Sequence, residues 1–106
     1  MGEPTPRLVE ILREAWDDLL EGVEFYDDQA AGLGARFMAE MLAELRTLPC
    51  VAGVHSIHWG CHRTLPEIWP WAVYYLLEKE RIVVTAVCDC RRDPEMNRLK
   101  VRTRKP

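Results

Sequence analysis

Arg63, Arg91 and Arg92 are the side chains in this sequence best equipped for chemistry. A guanidinium presents a fixed fork of donors that matches phosphate or carboxylate, and it stays charged at any physiological pH. Such residues either grip an anionic ligand or pair with the protein's own acids, and the residues alone leave both readings open. A second group, His55, His58, Cys61 and His62, falls within eight positions and has the ligand types of a metal site. Its spacing fits no structural zinc pattern, and Cys88-Asp89-Cys90 is a CxC rather than the CxxC that commonly seeds one. We expect no metal there, only buried or surface thiols. Asp17 and Asp18, like Asp27 and Asp28, are adjacent, so on a helix they diverge instead of forming an acid/base couple. No phosphate loop, dinucleotide fingerprint, nucleophile elbow or zinc-protease helix occurs, and no cofactor is expected.

These groups must be positioned by a small scaffold. The chain has 106 residues, 48% hydrophobic and 29% charged, with a formal charge of −3. That is the composition of one globular domain over residues 1–106, not of a disordered tail or a collagen-like repeat. A domain of this size buries roughly two thirds of the surface its unfolded chain exposes, enough to fold without disulfides or a structural metal. No run approaches the ~20 apolar residues of a membrane span. Met1-Gly2-Glu3-Pro4-Thr5-Pro6 lacks the basic-then-apolar order of a secretory signal. The expected compartment is the cytoplasm, where Cys50, Cys61, Cys88 and Cys90 remain thiols.

Net charge hides an asymmetry. Residues 1–48 hold eleven acids and four bases, net −7, whereas residues 49–106 hold six acids and ten bases, net +4. Arg91, Arg92, Arg98, Lys100, Arg102, Arg104 and Lys105 crowd the last sixteen positions. An acidic face and a basic end are either merely solvated or turned toward an anionic partner.

Apolar spacing divides the chain the same way. Leu8 to Leu12 is a short strand-like run that enters a helical pattern without a capping residue. Leu12, Trp16, Leu19, Leu20, Val23, Tyr26 and Ala30 fall at intervals of three and four, one face of an acidic amphipathic helix. Gly32-Leu33-Gly34 breaks it, and a second stripe through Phe37, Met38, Met41, Leu42, Leu45 and Leu48 ends at Pro49. A break this short predicts an antiparallel helical hairpin. Beyond it, residues 71–77 and 81–88 are dense in β-branched and aromatic residues and flank Glu78-Lys79-Glu80, which predicts a β-hairpin. Asp93-Pro94-Glu95 reads as a helix start leading into a short basic helix or tail. The expected class is α+β: the helical hairpin packs on one face of a curved, mainly antiparallel sheet of about four strands, whose other face is partly open.

Residues in this order resemble a known family. Glu14-Ala15, Asp18-Leu19, Phe25-Tyr26-Asp27-Asp28-Gln29, Gly32-Leu33-Gly34 and Arg36-Phe37 are followed by Trp69-Pro70-Trp71-Ala72-Val73-Tyr74-Tyr75, then Ile82-Val83-Val84, Ala86-Val87 and Arg91-Arg92-Asp93-Pro94. Across nearly the whole chain this pattern resembles the RelE/ParE toxin superfamily, and most of all its ParE-like, plasmid-stabilisation branch. Trp69 and Trp71 stand where that family usually has Phe and Tyr.

The resemblance implies a bacterial toxin of a type II toxin–antitoxin pair, held inactive by a cognate antitoxin that folds onto it. We place that contact on Phe37, Met41, Trp71, Tyr74 and Tyr75. ParE-like members poison DNA gyrase by binding it; RelE-like members cut mRNA on the ribosome through phosphate-binding bases and a general acid or base. For target or phosphate binding the candidates are Arg63, Arg91, Arg92 and Arg98; for a nuclease, His62 with Arg63, Arg91 and Arg92. No Tyr or His follows Tyr75, whereas many nucleases of the RelE-like branch carry a C-terminal Tyr, so gyrase inhibition is the preferred expectation. A non-toxic remnant that still binds antitoxin is the third.

Overall fold

The structure is a computed structural model that describes residues 7–106, so the Pro-containing start lies outside the described residues. The apolar run at the beginning forms a strand, β1 (Leu8–Ile11), followed by α1 (Arg13–Gln29). Leu12 occupies the cap position in extended backbone and contributes no side-chain cap, as its type dictates. The buried face of α1 carries Ala15, Leu19, Gly22 and Tyr26. Trp16 and Leu20, expected in the stripe, stand largely outside it, because two small residues let the helix approach the sheet more closely than a Trp or Leu would allow.

Gly32 takes a positive φ of 86° and turns the chain into α2 (Leu33–Arg46). Gly34 does not share that role. It lies within the helix, where an added Cβ would stand 2.4 Å from the Val23 carbonyl oxygen, so its function is close approach of the two helices. The Asp27 side chain accepts its backbone N–H at 2.8 Å. Pro49 does not terminate α2 directly: α2 stops at Arg46, and Pro49 lies in the first turn of a separate short helix, α3 (Leu48–Val51), where its missing N–H has no helical acceptor to lose.

The second half is a sheet: β2 (Ile57–His58), β3 (Cys61–Thr64), β4 (Trp71–Leu77) and β5 (Arg81–Asp89). Its order is β1-β5-β4-β3-β2, five strands where about four were expected. β1 adds beside β5 in parallel, and every other pairing is antiparallel. Trp59 and Gly60, with φ of 55° and 86°, make the two-residue turn between β2 and β3. Thr85 is an extra residue in β5, since Tyr74 pairs with Ala86 while Tyr75 pairs with Val84. Such a bulge bends the strand and increases its twist. Asp93 caps α4 (Pro94–Thr103) by accepting from the Glu95 N–H at 3.0 Å.

Strand alternation sends two unlike sets of side chains to the two faces. Trp71, Val73, Tyr75, Ile82, Val84 and Val87 meet the hairpin residues Ala15, Leu19, Tyr26, Phe37, Met41 and Leu45. Ala72, Tyr74, Ala86 and Cys88 face the other way, with Cys61, beneath Val101 of α4.

Candidate functional site

Adjacent positions on a strand point to opposite faces, and this separates His62 from Arg63. The His62 ring stacks on Tyr75 at 5.1 Å on the hairpin side, and its Nδ1 donates to the His55 carbonyl at 2.7 Å. Arg63 pairs in register with Tyr74 and lies beside the Tyr74 hydroxyl and the Cys90 thiol on the opposite face. The two do not converge on one phosphate. His55 also turns to Tyr75, whose hydroxyl it meets at 2.5 Å while Gly53 N–H donates to the same oxygen at 3.0 Å. His58 meets Ser56, and Cys61 turns toward Thr85. The His/Cys group of the sequence is thus dispersed, and among the described residues no three His, Cys, Asp or Glu side chains come together as metal ligands.

The arginines likewise take separate roles. Arg91 is held by Asp89, with Nε at 2.9 Å and Nη2 at 3.0 Å from its two carboxylate oxygens, and its guanidinium lies 5.0 Å from the Phe25 ring centroid. Burial alone would raise the Asp89 carboxyl, but hydrogen bonds and charge from Arg91 outweigh it and hold the group below its ordinary range. Arg98 pairs with Glu95 on its own helix at 3.1 Å. Arg63 and the exposed Arg92 form no ion pair among the described residues, which leaves these two guanidinia available to an outside anion. Burial raises the Tyr74 hydroxyl above its usual value despite neighbouring Arg63, so the phenol beside that cation is protonated at neutral pH.

The residues expected to meet the antitoxin lie inside the chain in this structure. Phe37, Met41, Trp71, Tyr74 and Tyr75 are all buried within the chain. They build its core, because large aromatic side chains gain most by leaving water. Tyr26 to Phe37 (5.0 Å), Phe37 to Trp71 (5.1 Å) and Tyr26 to Trp69 (4.8 Å) are ring contacts of that core, and Trp71 Nε1 donates to the Tyr26 hydroxyl at 3.0 Å.

An accessible apolar groove lies elsewhere. Val9 and Ile11 of β1, Trp16 of α1, Leu42 and Leu45 of α2, and Pro49 enclose about 380 Å³. Trp16, 38% exposed, forms one wall beside the sheet edge. The signal for it was the apolar run before the first helix, which residue spacing marks as a strand without saying which wall it completes. Cys61 and Cys88 are buried, Cys50 and Cys90 exposed, and all four are free thiols. Burial pushes the Cys88 thiol up to about 12, which makes it inert in this state.

No helix among the described residues is long and apolar enough to cross a membrane. No protein-family model matches the sequence, and no curated protein matches it. The fold has a counterpart among solved structures: a chain of the chromosomal ParDE TA system from P. aeruginosa aligns with a TM-score of 0.73 over 79% of this chain and 96% of that one, at 17% identity. At that identity the likeness establishes a shared fold.

Proposed function

We propose that this chain is the toxin of a type II toxin–antitoxin pair and that it acts in the ParE-like manner, by binding DNA gyrase, with a cognate antitoxin as its inhibitor. The observation that carries the reading is the pairing of this fold, shared with a ParDE chain, with a site whose candidate catalytic groups are split between two sheet faces. A nuclease needs an acid or base within hydrogen-bond reach of the atoms it serves. Here His62 faces the hairpin and Arg91 is neutralised by Asp89, whereas Arg63 and Arg92 remain as cations for a binding surface.

In this reading the antitoxin lays an amphipathic segment into the groove of Val9, Ile11, Trp16, Leu42 and Pro49. One observation favours the RelE-like alternative, in which the target is the ribosome and mRNA. Arg63 and the protonated Tyr74 hydroxyl are neighbours on one face, an anion-binding group beside a potential proton donor.

Expression without the partner separates the two. Arrested growth with gyrase-linked DNA breaks supports the first; cleavage of mRNA within codons on the ribosome replaces it. An Arg63→Ala, Arg92→Ala variant loses toxicity but keeps antitoxin binding, and a fully toxic variant removes the basic surface from the proposal. Normal growth together with intact complex formation identifies the non-toxic, antitoxin-binding remnant.

A further inference from the structure

β1 stops pairing with β5 at Val84, yet β5 continues to Asp89. Strand edges left in this way expose unpaired N–H and C=O groups. Here side chains substitute for the missing strand. Arg104 Nη1 donates to the Thr85 carbonyl at 3.1 Å, Asp18 accepts the Val87 N–H at 2.9 Å, and Asn97 Nδ2 donates to the Asp89 carbonyl at 2.9 Å. Two of these three residues belong to α4 or its C-terminal end, and the third, Asp18, ties α4 to α1. Its two oxygens also accept from Lys100 at 3.1 Å and from Arg104 at 2.5 and 3.0 Å.

The apolar part of this attachment is small. Val101 and Asn97 are the buried residues of α4, whereas Met96 and Leu99 are 67% and 64% exposed. A ten-residue helix is marginal by itself in water, so its order depends on docking. Most of that docking is polar, through Asp18 and Asn97, which are 3% and 6% exposed while the helix is docked and reach water only when it leaves, and Asp18 keeps its bond to Val87. The hairpin core, by contrast, shares no side chain with the attachment other than Asp18.

From this asymmetry we infer that α4 is a cover fastened by Asp18, which opens over the second face of the sheet as a unit while the hairpin and sheet remain folded. Opening uncovers Ala86 and Cys88, whereas Tyr74 on the same face stays under the Trp59 ring stacked on it at 5.5 Å. α4 therefore controls access to the Ala86 and Cys88 part of that face, and Arg63 is reachable with the helix docked. The inference stands on the contacts alone and does not depend on the toxin reading.

The native thiols report on it. The full chain is pulsed with iodoacetamide under native conditions, and alkylation of each cysteine is read by mass spectrometry alongside amide hydrogen exchange. Cys50 and Cys90 are exposed and label without any opening, Cys90 the more slowly because burial raises its thiol above the ordinary range. Cys88 labels slowly in the wild type, at a rate that low urea hardly changes, because sub-global opening exposes little surface. Asp18→Asn speeds Cys88 labelling by about ten- to a hundredfold, the scale of a lost charge-assisted hydrogen bond, and leaves the slowest α1 and β4 amides protected as before. Should Asp18→Asn fail to fold, Arg104→Gln loosens the same clasp from the helix side and carries the same expectation. Unchanged Cys88 labelling in a folded variant overturns the cover. So does labelling that follows urea with the full unfolding slope, because Cys88 is then reached only through global unfolding.

Discussion

The two faces of the sheet are closed by different physics. On the hairpin side, Leu19, Phe37 and Met41 meet Val73, Tyr75 and Val84 with no exposed surface at all, and interlocked rings fill the centre. Across the sheet the strands present Ala72, Ala86 and Cys88 under Val101 and a clasp of charged hydrogen bonds, with Tyr74 beside them under the Trp59 ring. A dry aromatic core is stable because water cannot replace its contacts. A clasp of charged hydrogen bonds holds less firmly, because water re-solvates its groups once the helix leaves. One face is suited to permanence, and the other to access, which is where Arg63 lies.

Substitutions test that contrast by magnitude. Phe37→Ala leaves a cavity among Tyr26, Trp69 and Trp71 and is expected to cost about 3–5 kcal/mol, read by urea denaturation. Val101→Ala, on the opposite face, removes the one dry contact of α4 and costs about 2 kcal/mol or less. Equal losses would erase the distinction between the faces. Gly34→Ala, which forces a Cβ toward the Val23 carbonyl, falls between or below these at about 1–3 kcal/mol and should shift melting without altering the sheet face.

A pH series gives a smaller effect. The folded-state pKa of Asp89 lies below its ordinary value of 3.8, so its contribution to stability is complete above that value and is lost as pH falls through the lower folded pKa. Wild type should therefore lose part of its advantage over Arg91→Ala in acid, and parallel stability curves from neutral pH down would contradict the Asp89–Arg91 assignment. Smallest of all is Arg63→Ala, which changes stability by no more than about 0.5 kcal/mol because no carboxylate among the described residues pairs with it. Any large effect of that substitution should appear in growth inhibition.

Much of the architecture was legible in residue order. Apolar spacing of three and four marked both helices of the hairpin, dense β-branched runs marked β4 and β5, and Asp93-Pro94 marked the start of α4. The site was less legible. His62 and Arg63 look like partners in the sequence because they are neighbours, yet neighbours on a strand face apart. The aromatic run through Trp71, Tyr74 and Tyr75 suggests a sticky surface, yet each ring is buried by a helix or strand distant in sequence.

The sequence by itself determined the α+β class, the helical hairpin, the central β-hairpin and the segregation of acidic and basic halves, because those follow from local periodicity and composition. Only tertiary structure decided that β1 would join β5 in parallel and that Asp18, 86 positions from Arg104, would fasten the C-terminal helix. It also decided that Arg91 would be neutralised while Arg63 and Arg92 found no carboxylate among the described residues. Charge type is written locally, but whether a charge has a partner depends on which distant segments the fold brings within about 3 Å of it.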